Sequence, residues 1–324
     1  MQSTDGLGTS IQDADSGART PSFSVVISTR NRPQDVWRCL ESLTHVSYPA
    51  WDVLIVDQSD RENTETMSTW LEFVDRLPGL TYRHMEEKGV CRARNLGLSL
   101  TRGDVVLLLD DDCAATSPGF LHEAAAVLDR HPEAAIAFGC VLAVPYDAAR
   151  GFIPQQDYPS EQVLRSRHQF QVLKGLTACV CIRRQLASSL AFDVHLGPGS
   201  RFDYGGDDVD YGYRALKTGH LIAVSPSFSV DHYGFREYAG GAARRVVKGY
   251  MYSLGAQNMK MLRSGDIGAL GLIVCHLFWV LVTINFRNLV LRRGPSNIGR
   301  YVHYFQGLAA SFRYRVDRDR CLYV

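Results

Sequence analysis

The feature that most restricts this chain is an alternation. Short, almost wholly apolar runs are separated by stretches with helical spacing, and the runs tend to end in polar or acidic residues. Phe23-Ser24-Val25-Val26-Ile27-Ser28 is a β-branched run that reads as a buried strand. A loop, Thr29-Arg30-Asn31-Arg32, follows it. Pro33 then suits the first position of a helix to about Thr44, with Val36, Leu40 and Leu43 on one face. Residues 51–57 (WDVLIVD) form a second strand, 64–76 a helix, 80–85 a third strand and 90–100 another helix. Residues 104–109 are a fourth strand that runs straight into Asp110-Asp111-Asp112. Apolar strands alternating with helices predict a mostly parallel, Rossmann-like α/β sheet covered on both faces. Ligands of such sheets bind beyond the carboxyl ends of the strands, where Ser28 to Arg32, Asp57 and the aspartate triplet fall.

From Ala134 the pattern is mixed. Residues 134–144 and 176–182 read as strands, and 151–171 as a polar, mobile loop suited to an acceptor. Residues 197–206 are Gly-rich, 207–219 helical, and 221–224 and 227–230 two short strands before His232. Residues 1–22 are polar, with neither a basic start nor an apolar stretch, so they read as a disordered tail and not a signal peptide. The 324 residues allow one large domain or two ordinary ones. Lys plus Arg total 35 against 34 Asp plus Glu, a balance that argues against a nucleic-acid binder. A hydrophobic fraction of 46% excludes a disordered chain, and a mean hydropathy of −0.11 excludes a multi-span membrane protein. The eight cysteines include no CxxC pair, so they read as reduced core thiols and not zinc ligands.

Four constellations could carry chemistry. Three adjacent carboxylates, Asp110 to Asp112, repel one another unless a cation sits among them, and a hard divalent ion prefers such oxygens. The plain alternative is a solvated acidic turn. Gly205-Gly206-Asp207-Asp208 opens a helix, where acids also serve simply as favourable charges at the N-terminus. Lys88 to Gly97 is a helix with Arg92 and Arg94, suited to phosphate or to a solvated face. His232 follows a strand, and a lone histidine is more often structural than a ligand. Together they are the parts of a metal-assisted transfer from a diphosphate leaving group.

In order and content, residues 23–233 resemble a family 2 glycosyltransferase with the GT-A fold. The matching segments are Ser28-Thr29-Arg30-Asn31-Arg32-Pro33, then Val56-Asp57-Gln58-Ser59-Asp60, then Gly89 with Ala93-Arg94-Asn95-Leu96-Gly97. The strand-end Asp110-Asp111-Asp112 follows as the D-x-D motif. Phe192-Asp193-Val194-His195-Leu196-Gly197-Pro198-Gly199 and Gly205-Gly206-Asp207-Asp208 complete the series. Asp207 stands where the family usually has Glu, one methylene shorter. The resemblance implies an inverting, metal-dependent transfer of a sugar from a nucleotide-sugar donor to a hydroxyl acceptor, a saccharide or lipid-linked saccharide. Thr29, Arg30, Asn31, Asp57, Arg94, Asp110 and Asp111 would bind the donor nucleotide. Asp110, Asp112 and His232 would hold Mg²⁺ or Mn²⁺. Gly206 and Asp207 would shape the acceptor loop, and Asp208 would be the catalytic base.

Residues 267–286 (IGALGLIVCHLFWVLVTINF) carry no formal charge and are long enough to span a bilayer. Arg244, Arg245, Lys248, Lys260 and Arg263 precede them, and Arg287, Arg292 and Arg293 follow. Basic residues on both flanks favour a segment lying on or dipping into the cytoplasmic leaflet over a true crossing. The alternatives are a buried helix and a homodimer interface. The expected organisation is a tail at 1–22, a glycosyltransferase body at 23–235, and a helical, membrane-associated region at 236–324, in a cytoplasmic protein at the inner face of the plasma membrane. A sugar-nucleotide nucleotidyltransferase would need a glycine-rich loop after the first strand, and Ser28 to Pro33 contains no glycine. A non-catalytic sugar-nucleotide binder or membrane scaffold is the rival of another class.

Overall fold

In a computed structural model of the protein, the described residues are 20–60, 64–167, 169, 175–200, 205–278 and 298–324. The expected tail lies almost wholly outside them. The first strand, β1 (Phe23–Thr29), is central and nearly all buried, as its β-branched run requires. It pairs in parallel with β2 (Trp51–Asp57) on one side and β4 (Val105–Asp110) on the other. Their register sets Thr29 opposite Asp57 and Ser28 opposite Asp110, so one row of polar groups forms along the carboxyl edge. Helix α1 (Pro33–Leu43) starts at its proline and buries Val36, Cys39, Leu40 and Leu43. Helix α2 (Thr64–Leu71) is shorter than the 64–76 expected; the chain then turns, and Phe73 and Leu77 are buried without continuing the helix. Strand β3 (Thr81–His84) and helix α3 (Val90–Leu100) complete the first half.

The second half inverts part of the sheet. After β5 (Cys113–Ala115) and α4 (Phe120–Arg130) come β6 (Ala134–Ala143), β7 (Gly151–Phe152), β8 (Gln162–Leu164) and β9 (Cys179–Arg183). A one-turn helix α5 (Arg184–Ala187), helix α6 (Asp207–Lys217), strand β10 (Leu221–His232) and strand β11 (Arg236–Glu237) follow. The main sheet runs β3-β2-β1-β4-β9-β6-β10-β5, with β8 on β10. Strand β9 is antiparallel to both β4 and β6, and β5 and β8 are antiparallel to β10. The sheet is therefore largely, but not wholly, parallel. The two short strands expected at 221–224 and 227–230 are one strand, with a register shift between Val224 and Ser229. The loop expected at 151–171 is partly ordered: β7 pairs with β11, Gln156 bridges Val141, and β8 joins the sheet. Residues 168, 170 and 171 of it lie outside the described residues.

Alternate residues of each strand feed two cores. Val25, Ile27 and Leu107 pack with α1 and α4 on one face. Val26, Leu54, Val106 and Leu108 pack with α3 and α6 on the other. All eight cysteines are free thiols, and only Cys275 is exposed.

Among the described residues three further α-helices follow: α7 (Ala242–Arg263), α8 (Gly268–Phe278) and α9 (Ile298–Ala310). The short strands β12 (Val316–Asp317) and β13 (Leu322–Tyr323) pair after them. Two residues read as a basic flank for lipid have other duties. Lys260 is fully buried, 2.7 Å from Asp193, and also pairs with Asp210 on α6. Arg263 donates to the carbonyls of Ser311 and Tyr314. The Tyr323 amide donates to Asp193 at 3.0 Å, so α6, α7 and β13 meet at one buried ionic centre. Of the apolar stretch 267–286, residues 279–286 lie outside the described residues. Among the described residues no helix is long and apolar enough to cross a membrane.

Candidate active site

The carboxyl edge of the sheet gathers the predicted residues. Thr29, buried at the end of β1, donates to Asp111 at 2.7 Å. Asp57, buried at the end of β2, accepts from the Ser59 amide at 2.7 Å and the Tyr82 hydroxyl at 2.8 Å. Asn31 takes the left-handed conformation, φ 54, which asparagine tolerates better than most residues. Its amide donates to Ser59 at 2.8 Å, and its side chain donates to Asp60 at 2.9 Å. The turn after β1 is thereby tied to the turn after β2, leaving Arg30 exposed at the rim.

The three aspartates after β4 point three ways. Asp110 accepts from Arg94 at 2.8 Å. Asp111 accepts from Thr29 and, at 3.0 Å, from Arg32. Asp112 lies 3.2 Å from His232, 3.3 Å from Arg32 and 3.6 Å from Arg236. Burial works against the Asp112 charge, but His232, Arg32 and Arg236 outweigh it and hold the carboxyl well below the usual range. Burial likewise opposes charging of His232, and the bond to Asp112 overrides it and raises the imidazole.

The residues that could hold a metal are Asp112 and His232, with Cys113 beside them on β5. The His232 Nδ1 must donate to the Pro154 carbonyl, 2.6 Å away, which leaves Nε2 facing Asp112 as the ligand-capable nitrogen. Gly234 stands where a Cβ would fill the space between the Asp112 carboxylate and that nitrogen. The Cys113 thiol is buried and pushed up, so it stays protonated and leaves an oxygen–nitrogen set, which suits a hard divalent ion. Asp110 faces Arg94, on the other side of the triplet.

Arg94 is the second organiser. Its guanidinium is buried between Asp110 and Asp207 and pairs with both. It stays charged, because the two carboxylates overcome the cost of its burial. Sequence reading offered phosphate or a solvated face for this arginine; here it is buried and both arms hold carboxylates. Asp207 and Asp208 open α6 behind Gly205 and Gly206, whose φ values of 77 and 86 lie in the left-handed region that favours glycine. Asp207 is tied to Arg94, whereas Asp208 is half-buried and makes no ion pair among the described residues. Burial and the neighbouring Asp207 push the Asp208 carboxyl well above the usual range, with Arg94 opposing. Such a group binds a proton more readily than an ordinary carboxylate, as a general base must.

Sequence reading left out four residues the structure brings to this region. Arg32 was visible inside the Thr29–Pro33 motif, and Arg236 follows soon after His232. Lys260 and Tyr250 sit on α7 and carried no local signal, since nothing in their spacing points to an active site.

Comparison with known proteins agrees with this architecture. The family described as Glycosyl transferase family 2 matches residues 24–188, a little over half of the chain. Glycosyltransferase AglE of Haloferax volcanii is 30% identical over 97 residues, 29% of this chain and 31% of that protein. The putative colanic acid biosynthesis glycosyl transferase WcaA of Escherichia coli is 29% identical over 93 residues, 28% of this chain and 33% of that protein. The chain thus matches about a third of the length of these curated relatives. Among solved structures, S. aureus TarS 1-349 superposes with a TM-score of 0.54 at 16% identity, covering 89% of this chain and 81% of that one. Mannosyltransferase PcManGT from Pyrobaculum calidifontis superposes with a TM-score of 0.57 at 14% identity, covering 91% and 88%. At these identities the structural likeness speaks for the fold, and it is the GT-A fold. With the family match spanning β1 through α5 and the fold agreeing beyond it, the chain belongs to glycosyl transferase family 2.

Proposed function

We propose that the protein transfers a sugar, with inversion, from a nucleotide diphosphate donor to a hydroxyl acceptor, assisted by Mg²⁺ or Mn²⁺. One observation carries this reading: Arg94 joins Asp110, at the strand edge where a donor would sit, to Asp207, the neighbour of a carboxyl primed to accept a proton. Thr29, Arg30, Asn31, Asp57 and Asp111 form the nucleoside side of the cleft. Asp112 and His232 would hold the metal, while Asp110, expected beside them, is turned to Arg94 on the other side of the triplet. When bound, the ion would offset the charge of the departing diphosphate. Asp208 draws the proton from the acceptor hydroxyl as that oxygen bonds to the anomeric carbon, on the face opposite the breaking bond to phosphate. Gly206 and Asp207 set the position of Asp208. Structural neighbours crystallised with UDP-GlcNAc, or with GDP-Man and Mn²⁺, are consistent with a nucleotide-sugar donor.

The test is release of nucleotide from UDP-, GDP- and dTDP-sugars with and without Mn²⁺ or Mg²⁺. Metal-dependent release from one donor is expected. Absence of both release and nucleotide binding with all of them defeats the reading.

The same reading divides the chain into a catalytic body at 23–235 and a helical region at 236–324 that meets the cytoplasmic membrane surface, where a lipid-linked acceptor would be presented. Ile267 just before α8, Leu270, Val274 and Phe278 on it, and Phe312 are exposed, and the exposed Arg313 and Arg315 follow Phe312. Apolar side chains with nearby arginines suit an anionic interface. Flotation with phosphatidylglycerol vesicles is expected. Protein that stays unbound, or a stable dimer that covers α8, defeats the membrane role.

A further inference from the structure

Tyr250 lies outside the matched family region, on α7, yet its ring packs against the backbone of Gly205 so closely that a Cβ there would collide with it. Two turns further along α7, Gln257 donates to the Gly206 carbonyl at 2.8 Å, which fixes this helix against the turn that carries the proposed base. Tyr250 is nevertheless 44% exposed. A large aromatic side chain gains stability from being covered. This one is backed by glycine and left partly open to solvent beside the turn that carries Asp207 and Asp208. Burial, then Asp208, Asp207 and Asp110, push its hydroxyl up to about 12, with Arg236 opposing, in keeping with its place beside the start of α6. Arg236 in turn lies 3.6 Å from Asp112.

A pyranose ring has an apolar face of C–H groups and a rim of hydroxyls. A cleft that binds it needs a flat apolar wall beside charged hydrogen-bonding groups. Tyr250 supplies the wall, and Asp208 and Arg236 supply groups for the rim. From this geometry we infer that Tyr250 is the platform for the acceptor sugar, a positioning residue contributed by the C-terminal helices to the reaction of the body. The inference rests on the glycosyl-transfer reading above and adds to it the chemical class of the group held beside Asp208: a sugar ring, lying with its C–H face on the tyrosine.

Saturation-transfer NMR tests this with methyl α- and β-glycosides of glucose, galactose and mannose as probes, in the presence of Mg²⁺ and UDP or GDP. At least one glycoside is expected to receive saturation on its C–H face from the wild-type protein. Tyr250→Ala is expected to weaken that contact about tenfold, and Tyr250→Phe to retain it. Nucleotide affinity, measured by calorimetry on the same samples, is expected to match wild type in both variants, which also reports that each is folded. Silence of every glycoside with the wild-type protein, or a contact that survives Tyr250→Ala, overturns the platform. If nucleotide binding itself fails in the wild-type protein, the transfer reading falls instead.

Discussion

Asp112 and Asp208, one from each group of aspartates that Arg94 joins, live in opposite electrostatic surroundings. Asp112, at the strand edge, is ringed by His232, Arg32 and Arg236 and is held ionised despite its burial. Asp208, at the start of α6, has another carboxylate as its neighbour and no ion pair of its own among the described residues, and its proton affinity rises. The residue type is the same. What differs is the number of cations within reach, and that difference separates a group fit to hold a metal from a group fit to accept a proton.

Each prediction strains this contrast at a different point. The largest effect is expected from Asp112→Ala. Transfer should fall below detection, and the Mn²⁺-dependent part of nucleotide binding should disappear in calorimetry. Binding that keeps its metal dependence would remove Asp112 from the metal side. Asp208→Asn comes next, with kcat lowered by about 10²–10⁴-fold and nucleotide affinity intact. A loss of affinity at unchanged turnover would reverse the two roles. Third is Lys260→Ala, which leaves Asp193 with backbone amides alone and Asp210 with Arg214 alone, both in the interior. Chemical denaturation should show a loss of about 3–5 kcal/mol, and a loss below about 1 kcal/mol would mean the ionic centre is solvated.

The smallest effect concerns pH. Because the Asp208 carboxyl is raised, it becomes an effective base only as pH climbs past its raised pKa, so the acid limb of the kcat profile should lie well above the ordinary carboxylate range. Asp207→Asn removes the repelling charge and frees Arg94, and both changes lower the Asp208 pKa. The acid limb should therefore move to lower pH, and a limb that stays put would detach the base role from this pair.

Much of the first half was legible in the sequence, because β1, β2 and β4 are runs of consecutive apolar residues with few other ways to be buried. Their register then carries Thr29, Asp57 and Asp110 to one edge with no long-range information beyond strand order. The direction of β9 was not legible. Cys179-Val180-Cys181-Ile182 is equally apolar whichever way it runs, and burial on both faces erases the alternation that hints at sheet type. The continuity of β10 was hidden by Pro226, which sits at the register shift between Val224 and Ser229. Lys260 and Arg263 looked like a solvated basic flank because helical spacing records a residue's face but not the distant acid that meets it. Asp193 and Asp210 are that acid for Lys260, and only the packed structure brings them together.

Arg94 has a consequence for how the cleft can be studied. One guanidinium grips a carboxylate from each group, so the two sides share a single electrostatic account. A ligand that changes the charge at Asp110 alters the pull on Asp207, and with it the affinity of Asp208 for its proton. Linkage makes the effect mutual: protonation of Asp208 must change the ligand's affinity by the same factor. On the proposed function, nucleotide binding is then also a proton-exchange event, and its heat is expected to depend on the ionisation enthalpy of the buffer that supplies or absorbs the proton.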